Sequence, residues 1–260
     1  MCSYKKPSAT VLTGSVGITT ADPWYSRDTS LWEGPLPWYA KPQAHLGGGM
    51  VTDRFIYIGM PNTGSGAAHR WLPYIEGLQV FHPIAGHQPY AFSVNRCNQV
   101  GWKVPPAFVF ARNPWEWNVA CFCAIRARNR KWFSGTWEDF LEYQRYARHW
   151  GLPDLNISGV SAVWEYIGAD NATYFGKVEN YADDWVTILG KLIPDLITEK
   201  EIRAHVTRIG HQDFWMPPDG ELKPYQEFYT PVQRDLVMTL EKDLIERFEY
   251  TFDDVGRDYR

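Results

Sequence analysis

The apolar positions of this chain fall into short runs that alternate with longer amphipathic stretches. A run such as residues 107–111 suits a buried strand, and the apolar spacing after it suits a helix. The predicted strands are 54–58, 107–111 and 172–177, and the helices that follow them are 67–78, 114 to about 129, and 181–192. Alternating strands and helices are typical of a parallel sheet with helices on both faces. The pattern therefore predicts a single α/β domain with a central parallel sheet flanked by helices.

Three further helices are predicted from caps and periodicity. One spans residues 137–148, with Thr136 or Ser134 as its cap. Two late helices begin with capping boxes, in which an N-cap hydroxyl and the side chain three residues later each accept from the other's backbone N–H. The boxes are Thr198 with Glu201 and Thr230 with Gln233. A buried stripe is predicted after the second box, because apolar residues recur every four positions at Leu236, Leu240, Leu244 and Phe248.

The first 53 residues are predicted to form an irregular arm. They are rich in proline, contain three consecutive glycines at 47–49 and three tryptophans, and show no sustained period. The regular fold is expected over residues 54–260, because no shift in composition there marks a second domain. The late segment 210–229 is long for a connection, so we interpret it as a candidate functional loop.

The charge balance narrows the function classes. Among the 260 residues, 26 Lys and Arg face 30 Asp and Glu, for a net charge of −4. Binding to duplex DNA is disfavoured, since that affinity comes largely from a basic excess that neutralises phosphates. No apolar run approaches the roughly 20 residues that span a bilayer, and the N-terminus has no hydrophobic signal core. We therefore expect a cytoplasmic protein with neither nucleic acid nor membrane as partner, although a small anionic ligand stays open.

The cysteines and the tryptophans add little chemistry of their own. The four cysteines show no CxxC pair and no density typical of a disulfide scaffold. Cys121 and Cys123 lie in an apolar helix and are expected to be packing residues. The 13 tryptophans suit a core, a substrate platform or an interface equally well. Of these, Trp115 and Trp117 lie on the helix predicted after the second strand and are expected in the core or at the rim of a ligand pocket.

A glycine-rich turn at residues 59–66 joins the first predicted strand to a helix. Unpaired backbone N–H groups and the helix dipole make such a turn a candidate anion site. Gly59 and Gly64 have the spacing of a nucleotide P-loop, but Ser65 and Gly66 stand where that motif needs Lys and Ser or Thr. A Mg²⁺-dependent kinase or ATPase is thereby disfavoured. A tight turn without a ligand is the simpler alternative.

Arg112 directly follows the second predicted strand. Ligands of open α/β sheets bind outside the carboxyl ends of strands, and arginine carries a fork of donors suited to phosphate. Arg112 is therefore a candidate phosphate ligand, with a surface ion pair as the alternative.

These two segments together resemble the sulfotransferases that use 3′-phosphoadenosine 5′-phosphosulfate (PAPS). Residues 55–64 (FIYIGMPNTG) resemble their 5′-phosphosulfate loop, a strand followed by P-K-T-G-[TS]-[TS], and residues 108–116 (FVFARNPWE) resemble their 3′-phosphate segment, R-[ND]-P-x-[ED]-R-x-x-S. Residues 86–90 (GHQPY) are similar to a segment of the carbohydrate-type members. Residues 174–181 and 243–250 are similar to the R-x-E-[ND]-L and D-x-x-x-F-x-Y elements. The ordered set spans about residues 55–252.

The resemblance implies a P-loop-like sulfotransferase fold that binds PAPS, or its product PAP, as co-substrate without a metal. It assigns the nucleotide to Arg112 and to the loop residues Pro61, Asn62, Thr63, Gly64, Ser65 and Gly66. The implied reaction moves a sulfuryl group to a hydroxyl of a small-molecule or carbohydrate acceptor. His87 is the first candidate for the general base, because imidazole titrates near neutrality. His82, His69 and Glu116 are the other candidates.

The chain departs from the family at three positions. Asn62 replaces the loop lysine, so an amide that carries no charge stands at a catalytic position. Trp117 replaces the second arginine of the 3′-phosphate segment, and Ala120 replaces its serine. Arg70, His69, Lys103 or a residue of the arm could supply the missing cation. A non-catalytic protein that binds PAP or another nucleotide, and a P-loop-type phosphotransferase, therefore stay open as alternatives.

Overall fold

A five-stranded sheet lies at the centre of the part of the chain that the computed structural model describes: residues 48–83, 87–128, 135–150, 159–210 and 224–254. All of these residues belong to one compact unit, Pro37–Arg260. The strands are β1 (Met50–Thr52), β2 (Ile56–Ile58), β3 (Val80–Pro83), β4 (Ala107–Ala111) and β5 (Tyr174–Lys177). Their spatial order is β3-β1-β2-β4-β5, with β2, β4 and β5 parallel and β1 antiparallel to both of its neighbours.

Nine helices accompany these strands within the described residues. They are α1 (Ser65–Trp71), α2 (Tyr90–Gln99), α3 (Pro114–Arg128), α4 (Trp137–Trp150), α5 (Val160–Ile167), α6 (Tyr181–Leu192), α7 (Glu199–Gly210), α8 (Pro231–Leu240) and α9 (Lys242–Phe248). Short 3₁₀ turns occur at Leu72–Tyr74, Ala169–Asn171, Val178–Asn180 and Tyr225–Phe228. None of the described helices is both long and apolar enough to cross a membrane.

The predicted α/β class is confirmed, with one correction to the sheet. Strand β1 lies inside the segment that was predicted as an irregular arm, and its antiparallel pairing makes the sheet mixed rather than parallel throughout. A hairpin turn joins β1 to β2, and within it the Thr52 hydroxyl accepts a hydrogen bond from the N–H of Phe55 at 2.8 Å. The strand has three residues, all fully buried, so its sequence shows no polar alternation. Residues 1–47 of the predicted arm lie outside the described residues.

Several predicted elements differ from the structure at their ends. Strand β4 and helix α6 have the predicted bounds, whereas α1 stops at Trp71 and a 3₁₀ turn follows. Pro73 lies in that turn, where it has no N–H to continue a helix. The last predicted helix is divided into α8 and α9 at Glu241. Helices α2 and α5 were not predicted.

Helices cover both faces of the sheet, as predicted. One apolar cluster joins side chains of β2 and β4, including Ile58 and Val109, to helices α2 to α5, α8 and α9. The other joins Tyr57, Phe108 and Phe110 to α1, α6 and α7. Both faces of the sheet are thus covered. Because β2, β4 and β5 run parallel, the segments that follow these three strands meet at one edge of the sheet. That edge carries the candidate site.

Candidate functional site

The segments after β2, β4 and β5 are connected to one another by hydrogen bonds. Arg112, which follows β4, donates from Nη1 to the carbonyl oxygen of Asn62 in the loop after β2, at 2.9 Å. The N–H of Asn113 donates to Oε1 of Glu179, which lies in the turn after β5, at 2.6 Å. The structure thus brings Arg112 and the glycine-rich loop together, as the sequence predicted.

Two residues of the loop have left-handed backbone conformations. Asn62 has a φ of 56° and Gly64 a φ of 82°. Asparagine and glycine are the residues that adopt this region most readily. The loop also requires Gly59, because a Cβ there would lie 1.9 Å from the carbonyl oxygen of Gly48. Helix α1 begins directly after Gly64 and has only seven residues. The candidate anion site is therefore assigned to the backbone groups of the loop and not to the dipole of this short helix.

Four carbonyl groups of the loop accept hydrogen bonds from side chains outside it. The pairs are Gly59 O with His87 Nδ1 at 2.6 Å, Pro61 O with Trp117 Nε1 at 2.8 Å, Asn62 O with Arg112 Nη1 at 2.9 Å, and Gly64 O with Tyr181 OH at 3.0 Å. A fifth carbonyl, that of Met60, accepts from the hydroxyl of Thr63 at 2.8 Å. Every carbonyl from residue 59 to 62 is therefore held by a side chain.

The N–H groups of the loop have a different environment. Within the described residues, the backbone N–H groups of residues 62–66 donate no hydrogen bond, and the first one donated by α1 runs from Ala68 N to Gly64 O at 3.0 Å. The carbonyl and the following N–H of a trans peptide point in opposite directions. Side chains that bind the carbonyls therefore turn the intervening N–H groups away from themselves. Successive N–H groups of this kind form an anion-binding concavity.

Arg112 belongs to a buried charge cluster. Its Nη2 lies 2.9 Å from Oε1 of Glu116, and the two side chains are only 11% and 10% exposed. Arg112 therefore does form an ion pair, as the alternative interpretation held, but the pair is buried rather than at the surface. Glu116 Oε2 is buried and has no hydrogen-bond partner among the described residues. Burial raises the pKa of the nearby Glu179, while the N–H of Asn113 and the charge of Arg112 oppose the shift. One cation thus faces two carboxyl groups.

His87 is oriented by the loop. A carbonyl oxygen can only accept, so the contact with Gly59 O requires Nδ1 of His87 to carry the proton. In the neutral ring, Nε2 is then the basic nitrogen. His69 is different, because it is fully enclosed behind the loop and its Nε2 bonds Gly48 O at 2.9 Å. Burial lowers the pKa of His69, so at neutral pH this ring adds no charge. The side chain of His82 lies outside the described residues.

The side chain of Asn62 is turned towards α3. Its Nδ2 lies 2.8 Å from Sγ of Cys121, so the amide is bound to a helix behind the loop. Lys103, one candidate for the missing cation, is exposed and precedes β4, at the opposite end of the strand from the loop. Arg70 is half-buried on α1. Arg112 is a cation that binds the loop backbone, through Asn62 O.

Sequence reasoning missed the roles of three side chains at this edge: the hydrogen bonds of Trp117 and Tyr181 to the loop, and the contact between Cys121 and Asn62. A signal existed for two of them, because Trp117 and Cys121 are four residues apart on α3 and share one face. Both are buried, as is Cys123, in agreement with the predicted packing roles.

Residues from the other three stretches that resemble the family, 86–90, 174–181 and 243–250, also lie at this edge. Tyr250, at the end of the 243–250 stretch, donates from its hydroxyl to Oε2 of Glu179 at 3.3 Å. Glu179 and Tyr181 belong to the 174–181 stretch, and His87 belongs to the 86–90 stretch. Residues 211–223 of the predicted functional loop lie outside the described residues. No group of three or more metal-ligating side chains occurs among the residues that are described.

Comparisons with known proteins give one structural similarity. A crystal structure of mouse sulfotransferase SULT7A1 complexed with PAP aligns with this chain at 17% identity and a TM-score of 0.42, over 86% of this chain and 84% of that chain. No protein-family model and no curated protein matches the sequence.

Proposed function

We propose that this chain is a sulfotransferase that binds PAPS and transfers its sulfuryl group to a hydroxyl acceptor. The observation that carries the proposal is the loop after β2, whose carbonyls are bound from outside while the N–H groups of residues 62–66 donate no hydrogen bond within the described residues. Such a row of N–H groups binds an anion. The sequence resemblance identifies that anion as the 5′-phosphosulfate.

Arg112 supports a ligand with two separated anionic groups. Arg112 binds Asn62 O, and the N–H of Thr63 belongs to the same peptide, so it points to the opposite side. An anion on the loop N–H groups and an anion on Arg112 would therefore be two different groups. PAPS has both, a 5′-phosphosulfate and a 3′-phosphate. The guanidinium charge of Arg112 suits the 3′-phosphate, which would bind beside Asn62 O and Glu116, the groups that Nη1 and Nη2 contact.

The proposed reaction is an in-line displacement at sulfur. An oxygen of the acceptor forms a bond to sulfur while the bond from sulfur to the phosphate oxygen breaks, and PAP leaves. Nε2 of His87 takes the proton of the acceptor hydroxyl, with Nδ1 held by Gly59 O. The loop N–H groups stabilise the charge that develops on the leaving phosphate oxygen.

The proposed acceptor is a carbohydrate hydroxyl. The support is the resemblance of residues 86–90 to the carbohydrate-type members, together with an aromatic content of 16% that can stack on sugar faces. A small alcohol or aryl hydroxyl is the alternative within the same reaction.

One observation favours a second function, that of a non-catalytic PAP-binding protein. The resembled family has a lysine at position 62, whereas the amide of Asn62 here is bound to Cys121 Sγ at 2.8 Å. No charge therefore reaches the leaving group from this position. Binding would survive, because it depends on the backbone and on Arg112.

Calorimetry separates the binding alternatives. We expect PAP to bind at micromolar levels without metal, and Arg112→Ala to weaken it about tenfold or more, because the cation and its hydrogen bond to the loop at Asn62 O are both lost. Arg203→Ala is the matched control, since Arg203 is also ion-paired but exposed on α7. Binding of ATP with Mg²⁺ in place of PAP would instead indicate a P-loop-type phosphotransferase.

A conservative substitution at His87 separates catalysis from binding. In His87→Asn, the side-chain N–H₂ can still donate to Gly59 O, but the variant has no base. We expect unchanged PAP affinity and loss of transfer from labelled PAPS to a panel of hydroxyl acceptors. An active His87→Asn protein would remove His87 from the role of base. A wild-type chain that binds PAP and sulfates no acceptor would support the non-catalytic function.

A further inference from the structure

We infer that the hydroxyl of Tyr181 is a positioning group for the anion bound by the loop after β2. The inference rests on the proposed function. It concerns a side chain that follows β5, whereas the loop follows β2. Tyr181 is the first residue of α6, and its hydroxyl donates to the carbonyl oxygen of Gly64 at 3.0 Å across 117 residues of sequence.

The ring of Tyr181 packs against two buried aromatic rings. Its centroid lies 5.1 Å from that of Phe110 and 5.9 Å from that of Trp185, and the two rings that it packs against are fully buried. It also lies directly against Gly64, where an added Cβ would be 2.4 Å from the hydroxyl oxygen. These contacts place the hydroxyl next to the loop at Gly64.

This contact determines the direction of one N–H group. The carbonyl of Gly64 and the N–H of Ser65 belong to one trans peptide and point in opposite directions. Because Tyr181 binds the carbonyl, the N–H of Ser65 points away from Tyr181 and α6. Gly64 has a φ of 82° and no Cβ, so its own backbone does little to fix this peptide. The hydroxyl therefore adds a second constraint to the one that Ala68 N–H places on the same carbonyl.

Fixing the peptide before the ligand arrives favours binding. A loop that is already ordered loses less conformational freedom when the anion binds. The carbonyl of Gly64 also accepts from Ala68 N–H at 3.0 Å, so α1 keeps its first hydrogen bond without Tyr181. Removal of the hydroxyl is therefore expected to loosen the loop peptide without unfolding the helix.

The test compares Tyr181→Phe with Tyr174→Phe. Tyr174 is a half-buried tyrosine of β5 whose hydroxyl forms no hydrogen bond to the described residues, and Phe retains the ring contact with Lys191. We expect Tyr181→Phe to weaken PAP binding about 3- to 10-fold, which corresponds to one lost hydrogen bond, and Tyr174→Phe to leave it unchanged. Tyr181→Phe should unfold only about 2–4 °C below Tyr174→Phe, as expected for one hydrogen bond of about 1 kcal/mol, and a larger difference would indicate general destabilisation instead of positioning.

Amide NMR gives a readout that does not depend on the nucleotide. In Tyr181→Phe the Ser65 amide resonance should shift and its hydrogen exchange should accelerate, whereas Tyr174→Phe should leave both unchanged. Inorganic sulfate, titrated into the wild-type protein, should perturb the Ser65 amide more than in Tyr181→Phe. If sulfate does this and PAP does not bind, the proposed function fails and the role of Tyr181 stands. An unchanged Ser65 amide in Tyr181→Phe, or equal perturbation by sulfate in both proteins, would overturn the inference.

Discussion

The loop after β2 should be especially sensitive to a methyl group at Gly64. Gly64→Ala adds a Cβ to a residue with a φ of 82°, and that atom would lie 2.4 Å from the hydroxyl oxygen and 2.8 Å from Cζ of Tyr181. The substitution therefore combines two effects. The left-handed conformation becomes unfavourable, and the Tyr181 ring must move away from the loop.

The magnitudes of these effects can be estimated separately. A left-handed conformation costs an ordinary residue about 1–2 kcal/mol. Displacing Tyr181 loses a hydrogen bond whose net contribution is about 1 kcal/mol. The sum, about 2–3 kcal/mol, should lower the unfolding temperature by about 4–12 °C for a chain of this size. PAP affinity should fall at the same time, because the loop peptide changes direction.

Two other glycines provide matched controls in the same unfolding assay. Gly101 has a φ of 71° with no atom within 4 Å of the added Cβ, so Gly101→Ala measures backbone strain alone. Gly190 lies in α6 without positive φ or close neighbours, and Gly190→Ala should stabilise the protein by about 0.5–1 kcal/mol. If Gly64→Ala destabilises no more than Gly101→Ala, the packing of Tyr181 on the loop is refuted.

Three further predictions concern buried titratable groups and a helix cap. Burial lowers the pKa of His69 below 6.5, so the unfolded state binds more protons than the native state as pH falls. The free energy of unfolding should therefore decrease below about pH 6.5. Urea unfolding of His69→Gln, whose amide can still reach Gly48 O, should lack this decrease. Burial raises the pKa of Glu179 above 4.5, so the native state binds more protons than the unfolded state, and the free energy of unfolding should fall as pH rises above about 4.5. Glu179→Gln should therefore gain stability relative to wild type as pH rises. A difference between the two proteins that does not change with pH would contradict this. Thr230→Ala removes the hydroxyl that caps α8 at the N–H of Gln233 and should lower the free energy of unfolding by about 1 kcal/mol, measured in the same way.

The parts of the fold that depend on local chemistry could be predicted from the sequence. Strand β4 is a continuous apolar run, and the Thr230 box has both of its hydrogen bonds because cap and partner are three residues apart. Strand β1 could not be predicted, since its three residues are buried on both faces and are defined only by pairing with β2 and β3. Helix α2 begins after Pro89 with no side-chain cap to mark it.

The same distinction applies to the site. The loop and Arg112 each follow a recognisable strand, so their meeting at one sheet edge could be predicted from topology. The hydrogen bonds that orient the loop could not, because Trp117 lies 56 residues from Pro61 in sequence, and Tyr181 lies 117 residues from Gly64. The direction of the Asn62 amide depends on Cys121 in the same way, at a separation of 59 residues.

A crystal structure of this protein with PAP would test the central claim most directly. We predict the 5′-phosphate on the N–H groups of residues 62–66 and the 3′-phosphate on the guanidinium of Arg112, on opposite sides of the peptide that joins Asn62 to Thr63. Nucleotide bound elsewhere, or a single phosphate shared by the loop and Arg112, would contradict it.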